Sequence, residues 1–284
     1  MKSKPTKLHF FILIILTLLF FSANSILAKT ALLNNYMDAY SFTLFRLIFG
    51  AFTLVIIVYF KTHNIALSKT NNWLSSFMLF LYAICFSYAY LTLDAGLGAL
   101  LLFGIVQLTM IGFAYVKKEP FGIRKLLGVA IAFAGLIYLL LPKEDFEISL
   151  FHASLMIVSG FAWAVYTLLG KQTQDALVHT MDNFVKTSIF LLLFYILFVD
   201  DMFITIEGLA LAFVSGSITS AIGYSVWYYI LPHVKIITAG IVQLLVPIIA
   251  LFFSILLLGE HLTFTLIIAT ISILLGIFIT LKDK

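Results

Sequence analysis

Residues 239–260 read AGIVQLLVPIIALFFSILLLGE. No charge interrupts the run before Glu260, and about twenty apolar residues in a helix are enough to cross a bilayer. Three features break its monotony: Gln243, Pro247 at mid-span, and the Gly259 and Glu260 pair that ends it. A buried amide and a mid-helix proline are tolerated in lipid where neighbouring helices or a cavity satisfy the freed polar groups. The stretch is therefore expected to line something, with the rest of the chain as the scaffold around it.

Composition sets the class. The chain is 63% hydrophobic and 11% charged, against roughly 25% charged residues in soluble domains. It reads as an all-α integral membrane protein whose partners are the lipid bilayer and a small-molecule substrate. The net charge of +4 does not point to nucleic acid, because the lysines lie in loops between apolar runs, where they report orientation. The single cysteine, Cys85, excludes an intrachain disulfide.

Apolar runs near the length of a span fall at 8–28, 40–60, 73–93, 95–116, 121–141, 150–170, 183–199, 207–230, 236–258 and 262–281. Lys2, Lys4 and Lys7 before the first run resemble the start of a signal peptide. It is read instead as the first of ten transmembrane helices, because the repeat described below needs it. With the N-terminus in the cytoplasm and the spans alternating, 17 Lys and Arg residues sort sharply. Only Lys29 and Lys143 fall outside, and Arg46 lies within a span. Asp200, Asp201, Glu144, Asp145 and Glu147 collect outside. This positive-inside pattern predicts a multi-pass protein of the inner (cytoplasmic) membrane with both termini cytoplasmic.

The two halves match. Ala28 and Lys29 correspond to Gly170 and Lys171, Arg46 to Lys186, and AICFSYAY at 83–90 to AIGYSVWY at 221–228. Further on, Ala95 and Gly96 correspond to Ala239 and Gly240, Glu119 to Glu260, and Gly128 and Gly135 to Ala269 and Gly276. The order is kept at a spacing of roughly 140 residues, the mark of an internal repeat. The predicted units are 1–142 and 143–284, each of five helices. An odd number of spans per unit makes the second copy enter the membrane from the opposite side. Two inverted five-helix repeats are typical of secondary transporters, which bind substrate near the midplane between the repeats and work by alternating access.

With these residues in view, the chain resembles the EamA family of the drug/metabolite transporter superfamily over nearly its whole length. The second half carries the resemblance best, in YSVWYYILPHVKIITAGIVQLLVPIIALFFSILLLGE and LTFTLIIATISILLGIFITL. RLIFGAF after Arg46 and AGLGALLLFGIVQLTM from Ala95 carry it in the first half. Two departures stand out: Lys118 replaces the glycine before Glu119, and the fourth span lacks a proline matching Pro247. The resemblance implies a ten-helix transporter of small metabolites with cytoplasmic termini, often an exporter, and does not fix the substrate.

The candidate substrate-binding residues are Asn24, Arg46, Tyr88, Gln107, Trp163, Tyr166, Tyr224 and Gln243. Arg46 either faces a cavity or snorkels to the outer surface towards Asp38. Its repeat mate Lys186 reads as an orientation anchor. Asn24, Gln107 and Gln243 need hydrogen-bond partners from other helices, water or a ligand. Trp163, Tyr166 and Tyr224 lie too deep for an interfacial aromatic belt, and such a wall suits a partly apolar solute such as an amino acid. Pro247, Glu119 and Glu260 are the gating or hinge candidates. No predicted span carries an acid at mid-depth, so the sequence gives no support to proton coupling.

Small residues on the fifth and tenth spans (Gly128, Ala130, Ala132, Ala134, Gly135; Ala269, Ser272, Gly276) serve close packing and offer a homodimer contact. No enzyme is expected. The six histidines form no pair at metal-ligand spacing, residues 215–217 (Ser-Gly-Ser) are not a nucleophile elbow, and no phosphate-cradling Gly-Lys-Ser/Thr loop is present. No cofactor or metal is expected either. An integral-membrane sensor or lipid-active protein without carrier activity is the alternative reading.

Overall fold

The computed structural model describes residues 7–63, 65, 73–117, 122–141, 148–171, 173, 175–234 and 236–281. Its elements are α1 (Lys7–Leu33), α2 (Ala39–Thr62), α3 (Trp73–Ala89), α4 (Ala95–Val116), α5 (Ile123–Leu140), α6 (Leu150–Gly170) and α7 (Ala176–Phe198). After these come α8 (Ile206–Phe213), a π-helical segment (Val214–Ile222), α9 (Gly223–Ile230), a 3₁₀ turn (Leu231–His233), α10 (Ile236–Gln243), α11 (Leu245–Leu258) and α12 (Phe264–Leu281). Among the described residues there is no β-strand, only an isolated bridge between Met37 and Ile204. Among the described residues six helical stretches are long and apolar enough to cross a membrane: Leu8–Leu33, Ala39–Thr62, Ala95–Val116, Leu150–Gly170, Ala176–Phe198 and Ile206–His233. Four shorter apolar stretches accompany them, at Trp73–Ala89, Leu126–Leu140, Leu245–Leu258 and Phe264–Gly276.

The molecule is turned inside out relative to a soluble protein. Phe52, Phe60, Leu197, Phe252 and Leu256 are exposed on its surface, while Asn24, Arg46, Gln107, Asp182, Asn183 and Gln243 are buried. In lipid the apolar exterior costs nothing, and polar side chains gather where other helices can satisfy them.

The helix ends follow local chemistry. Asp38 caps α2, its carboxylate accepting from Ser41 N at 2.8 Å, a backbone donor that the first helical turn leaves free, and from Phe203 N at 2.7 Å in the segment before α8. Asp175 caps α7 through Leu177 N and Val178 N. Gly259 closes α11 in the left-handed region at φ 68°, a conformation that glycine enters without a Cβ penalty.

The structure redraws several of the predicted boundaries; the first run, for one, continues as helix to Leu33 rather than 28. The third run ends as a helix at Ala89 rather than 93. The seventh begins at Ala176 rather than 183, because Asp175 starts the helix through a polar turn that an apolar pattern does not register. The ninth is two helices, α10 and α11, broken at Leu244. Pro247 accounts for the break: it has no N–H to offer the carbonyl of Gln243, and its ring crowds that carbonyl one turn upstream.

The packing partners that place the centre of the bundle are α3 with α6 and α7, α2 with the π segment and α7, and α1 with α9, α11 and the π segment. The most extensive pairing is α5 with α12. There the predicted small residues face each other: a Cβ on Gly135 would sit 2.9 Å from Ser272 Cβ and 3.2 Å from Ile273 N. One on Gly276 would meet the backbone of Gly128 and Ala132, with Ala132 Cα at 3.0 Å. Gly276→Val should therefore push the two backbones apart and destabilise the fold by about 1–3 kcal/mol, the usual range for overpacking. Thermal unfolding in detergent checks this, with the exposed Ile271→Val as the neutral control.

Candidate functional site

Arg46 sits two turns into α2, and none of its surface reaches solvent. Its guanidinium is held by hydroxyls alone. Nε donates to Ser220 Oγ at 3.0 Å, and Nη2 donates to the hydroxyls of Tyr82 at 3.0 Å and Tyr224 at 2.6 Å. The Tyr224 hydroxyl in turn donates to that of Tyr82 at 3.1 Å. The Tyr82 and Phe86 rings lie 5.4 and 5.1 Å from the guanidinium carbon, within reach of cation–π attraction. Arg46 has not snorkelled to Asp38, whose carboxylate is spent on capping α2.

The π segment makes this arrangement reachable. Gly216 lies directly on the backbone of Arg46, where a Cβ would stand 2.9 Å from the Arg46 carbonyl carbon. One turn on, Ser220 bridges two buried side chains: it accepts from Arg46 Nε and donates to Asn24 Oδ1 at 3.3 Å. Ser215 at 2.9 Å and Thr219 at 2.5 Å donate to the same amide oxygen. A wider helical turn presents Ser215, Thr219 and Ser220 towards α1 together, and π-helical turns are frequent at functional sites.

A small enclosed cavity of about 10 Å³ lies at the centre, room for about one water molecule. Phe21, Asn24, Ser25, Tyr82, Phe86, Leu102, Phe103, Trp163 and Tyr224 line it. The Trp163 ring packs at 4.9 Å from that of Tyr82, 4.8 Å from that of Tyr224 and 5.2 Å from that of Phe21. Its indole Nε1 donates to Gln243 Oε1 at 2.8 Å. A larger cavity of about 430 Å³ opens between the end of α2, the start of α7 and the end of α9, lined among others by Lys61, Asp175, Tyr228 and His233. Between the two stand Tyr228, Tyr166 and Trp163, with ring separations of 5.2 and 5.7 Å along the series.

Of the eight binding candidates, Asn24, Trp163 and Tyr224 line the small cavity. Arg46 lies directly behind Tyr82 and Tyr224, and Gln243 holds Trp163 from α10. Tyr166 packs tilted against Trp163 beside the cavity. Gln107 is buried against Gly240, its amide filling the space that a Cβ there would take, and neither of its polar side-chain atoms has a partner. Tyr88 is separate: it is half-buried and packs on Phe194 at 6.1 Å.

Among the hinge candidates, Glu260 caps α4, its carboxylate accepting from Ala95 N and, at 3.1 Å, Gly96 N. Pro247 is buried in the first turn of α11, and Ser22 Oγ reaches the carbonyl of Val246 beside it at 3.1 Å. Glu119 lies outside the described residues. Among the described residues no group of three His, Cys, Asp or Glu is placed to hold a metal.

Sequence reasoning missed Tyr82, the hydroxyls of the π segment, and Asp182. A tyrosine midway along the third run and the sequence VSGSITS inside an otherwise apolar run were the available signals. Asp182 falls one residue outside the predicted seventh span, yet it is wholly buried inside α7. It pairs with Lys186 at 2.7 Å, so Lys186 is the partner of a buried acid rather than a simple orientation anchor. Next to them, Asn183 accepts from Ser76 Oγ at 3.1 Å and contacts His179 Nε2 at 3.0 Å.

A helical bundle that hides an arginine and four side-chain amides behind an apolar exterior, around a small aromatic-lined cavity, has the form of a multi-pass membrane transporter. Residues 10–141 and 150–282 each match the EamA-like transporter family, to which this chain belongs. Among its relatives is one from Pseudomonas aeruginosa named Uncharacterized protein PA1977, 41% identical over 273 residues, covering 96% of this chain and 94% of the relative. A second, from Archaeoglobus fulgidus and named an uncharacterized transporter, is 28% identical and covers 95% and 96%. A third, the uncharacterized transporter YoaV of Bacillus subtilis, is 22% identical and covers 82% and 84%. A solved crystal structure superposes with a TM-score of 0.68 at 15% identity over 94% of each chain, a likeness of fold.

Asp182→Ala should leave Lys186 without its buried partner and lower stability by about 3–5 kcal/mol, the usual result of breaking such a pair. The shift in thermal midpoint in detergent measures it, and the double variant Asp182→Ala with Lys186→Met should recover much of the loss.

Proposed function

We propose that this protein is a secondary carrier that moves a small organic metabolite, an amino acid or similar solute, by alternating access. In this reading it has ten spans in two inverted five-helix repeats, 1–142 and 143–284, with both termini cytoplasmic in the inner membrane. It is not an enzyme and uses no cofactor.

One observation carries the reading: the helix contacts come in repeat-related pairs. Number the spans one to ten, so that span eight is α8, the π segment and α9, span nine is α10 and α11, and span ten is α12. The contact of spans three and six then has its counterpart in eight and one, that of two and eight in seven and three, and that of four and six in nine and one. Spans two and seven, four and nine, and five and ten are each other's mates and pack together. A two-fold axis in the membrane plane predicts this pattern. The basic residues fit it as well: Lys29, near the end of α1, donates to the carbonyl of Tyr90 at 3.4 Å, and Lys171, at the end of α6, donates to that of Val234.

The central cavity lies between the repeats, drawing on α1, α3 and α4 from one and α6 and α9 from the other. At the outer end Glu260 ties α11 to the start of α4, and at the inner end the larger cavity reaches Tyr228. The two gates are unequal, since Pro247 and the break at Leu244 interrupt span nine whereas α4 is continuous. A homodimer through spans five and ten would use exposed residues such as Phe133 and Leu275, because the small-residue faces are occupied within the chain.

Cysteines introduced at Lys117 and at Glu260 should react with a membrane-impermeant maleimide from opposite sides of the membrane; same-side labelling would refute the inverted arrangement. Replacing Gln107 and Gln243 together with leucine should cut flux in proteoliposomes by an order of magnitude or more while membrane insertion is kept. A purified protein that moved none of a broad panel of metabolites would sink the carrier reading in favour of a sensor.

A further inference from the structure

We infer that the Arg46 cluster recognises the carboxylate of a small organic anion with an apolar, ring-sized body, an inference that rests on the carrier reading and names its substrate class. A buried charge is costly unless it is paired and hydrogen-bonded, yet among the described residues the Arg46 guanidinium meets neutral groups, the hydroxyls of Ser220, Tyr82 and Tyr224 and the rings of Tyr82 and Phe86. The ion pair found among the described residues joins Lys186 to Asp182 on α7 and does not involve Arg46. The positive charge at the centre of the bundle therefore lacks an opposite one.

The unused hydrogen-bonding groups beside it are donors. Arg46 Nη1 and Asn24 Nδ2 are both buried without a partner. They belong to one network, because Ser220 bonds Arg46 Nε on one side and Asn24 Oδ1 on the other. Ser215, Thr219 and Ser220 occupy the Asn24 oxygen, so its amide nitrogen is the group left over. An arginine N–H and an amide NH₂ on either side of one hydroxyl are completed by a group with two acceptor oxygens and negative charge. A carboxylate has that shape, and charge-assisted contacts to arginine are the strong ones.

The rings around the cavity set the body of the ligand, which enters only with the bundle open, because the closed cavity of about 10 Å³ holds about one water molecule. Phe21, Phe86, Phe103 and Trp163 offer ring faces and edges, which favour a flat apolar group. Among the described residues no Asp or Glu lines the cavity to receive an ammonium. The site thereby narrows the solute of the carrier reading to organic acids over amines, and away from amino acids with a free ammonium, which would lose its hydration with only aromatic faces in return. The approach suits an anion too: Lys61 and His233 line the larger cavity, and the carboxylate of its Asp175 is engaged in capping α7.

The test uses purified full-length protein in detergent and the binding of radiolabelled phenylacetate, with phenylacetamide and phenethylamine as uncharged and cationic competitors. Phenylacetate should bind at least tenfold more tightly than either. Arg46→Gln should lose that preference and Arg46→Lys should regain part of it. Asn24→Asp is the decisive variant, since it gives Arg46 a built-in carboxylate while keeping an acceptor for the three hydroxyls. It should raise the thermal midpoint and abolish phenylacetate binding.

Equal affinity for the three compounds, no binding of any, or an Asn24→Asp protein that still prefers phenylacetate would overturn the inference. Flux separates this from the carrier reading. Proteoliposomes that move neutral or cationic solutes and refuse every carboxylate leave the carrier standing without this site. Arginine-dependent phenylacetate binding with no flux of any solute leaves the site standing without the carrier.

Discussion

A guanidinium buried in the middle of an apolar bundle constrains the elements around it. Arg46 on α2 can stay charged there only because α3 supplies Tyr82, the π segment supplies Ser220, and α9 supplies Tyr224. Each of those groups must come within about 3 Å along a usable direction, which fixes the rotation of three helices about their axes. Gly216 permits the approach, because any side chain there would strike the α2 backbone. The fourth wall follows through Ser220, which draws Asn24 and with it α1 into the same network. The aromatic rings then close around the charge and strengthen it, since a low-dielectric surround leaves hydrogen bonds to a cation unscreened.

The ends of the bundle are held by a different kind of contact. Gly259 turns the chain out of α11 so that Glu260 meets the first free N–H groups of α4, where a carboxylate is favoured by both hydrogen bonding and the helix dipole. Lys29 and Lys171 reach carbonyls at the ends of the helices beside them, as cations do at helix C-termini. These contacts are few and sit at the edge of the bundle, whereas α5 and α12 zip together through small residues along their length. A molecule built this way has a firm rim and polar ties at its mouths, which is where a carrier would have to open.

Much of the centre was legible from residue type and depth. Asn24, Arg46 and Gln243 stood out because polar groups in an apolar run must find partners, and Trp163 and Tyr224 because they lie too deep for the interface. Tyr88, another aromatic binding candidate, belongs elsewhere, packed on Phe194. Depth along a helix can be counted from the sequence, but the direction in which a residue faces cannot when every face is apolar. Tyr82 was passed over through that same ambiguity. Asp182 escaped because residues 176–182 are too polar to extend an apolar run, although backbone hydrogen bonding and the Asp175 cap carry the helix through them.

The sequence by itself determined the membrane class, the run of apolar helices, the repeat, and the identity of the polar residues that lipid would not accept. Hydrophobicity, charge sidedness and periodicity are properties of the chain in order, and they survive without knowledge of contacts. Only the tertiary structure decided that Pro247 splits the ninth run at Leu244, that Lys186 belongs to Asp182, and that Arg46 faces hydroxyls rather than a carboxylate. Those outcomes depend on which helix faces which, and in a bundle where nearly all surfaces are equally apolar, only the packing of side chains selects among rotations.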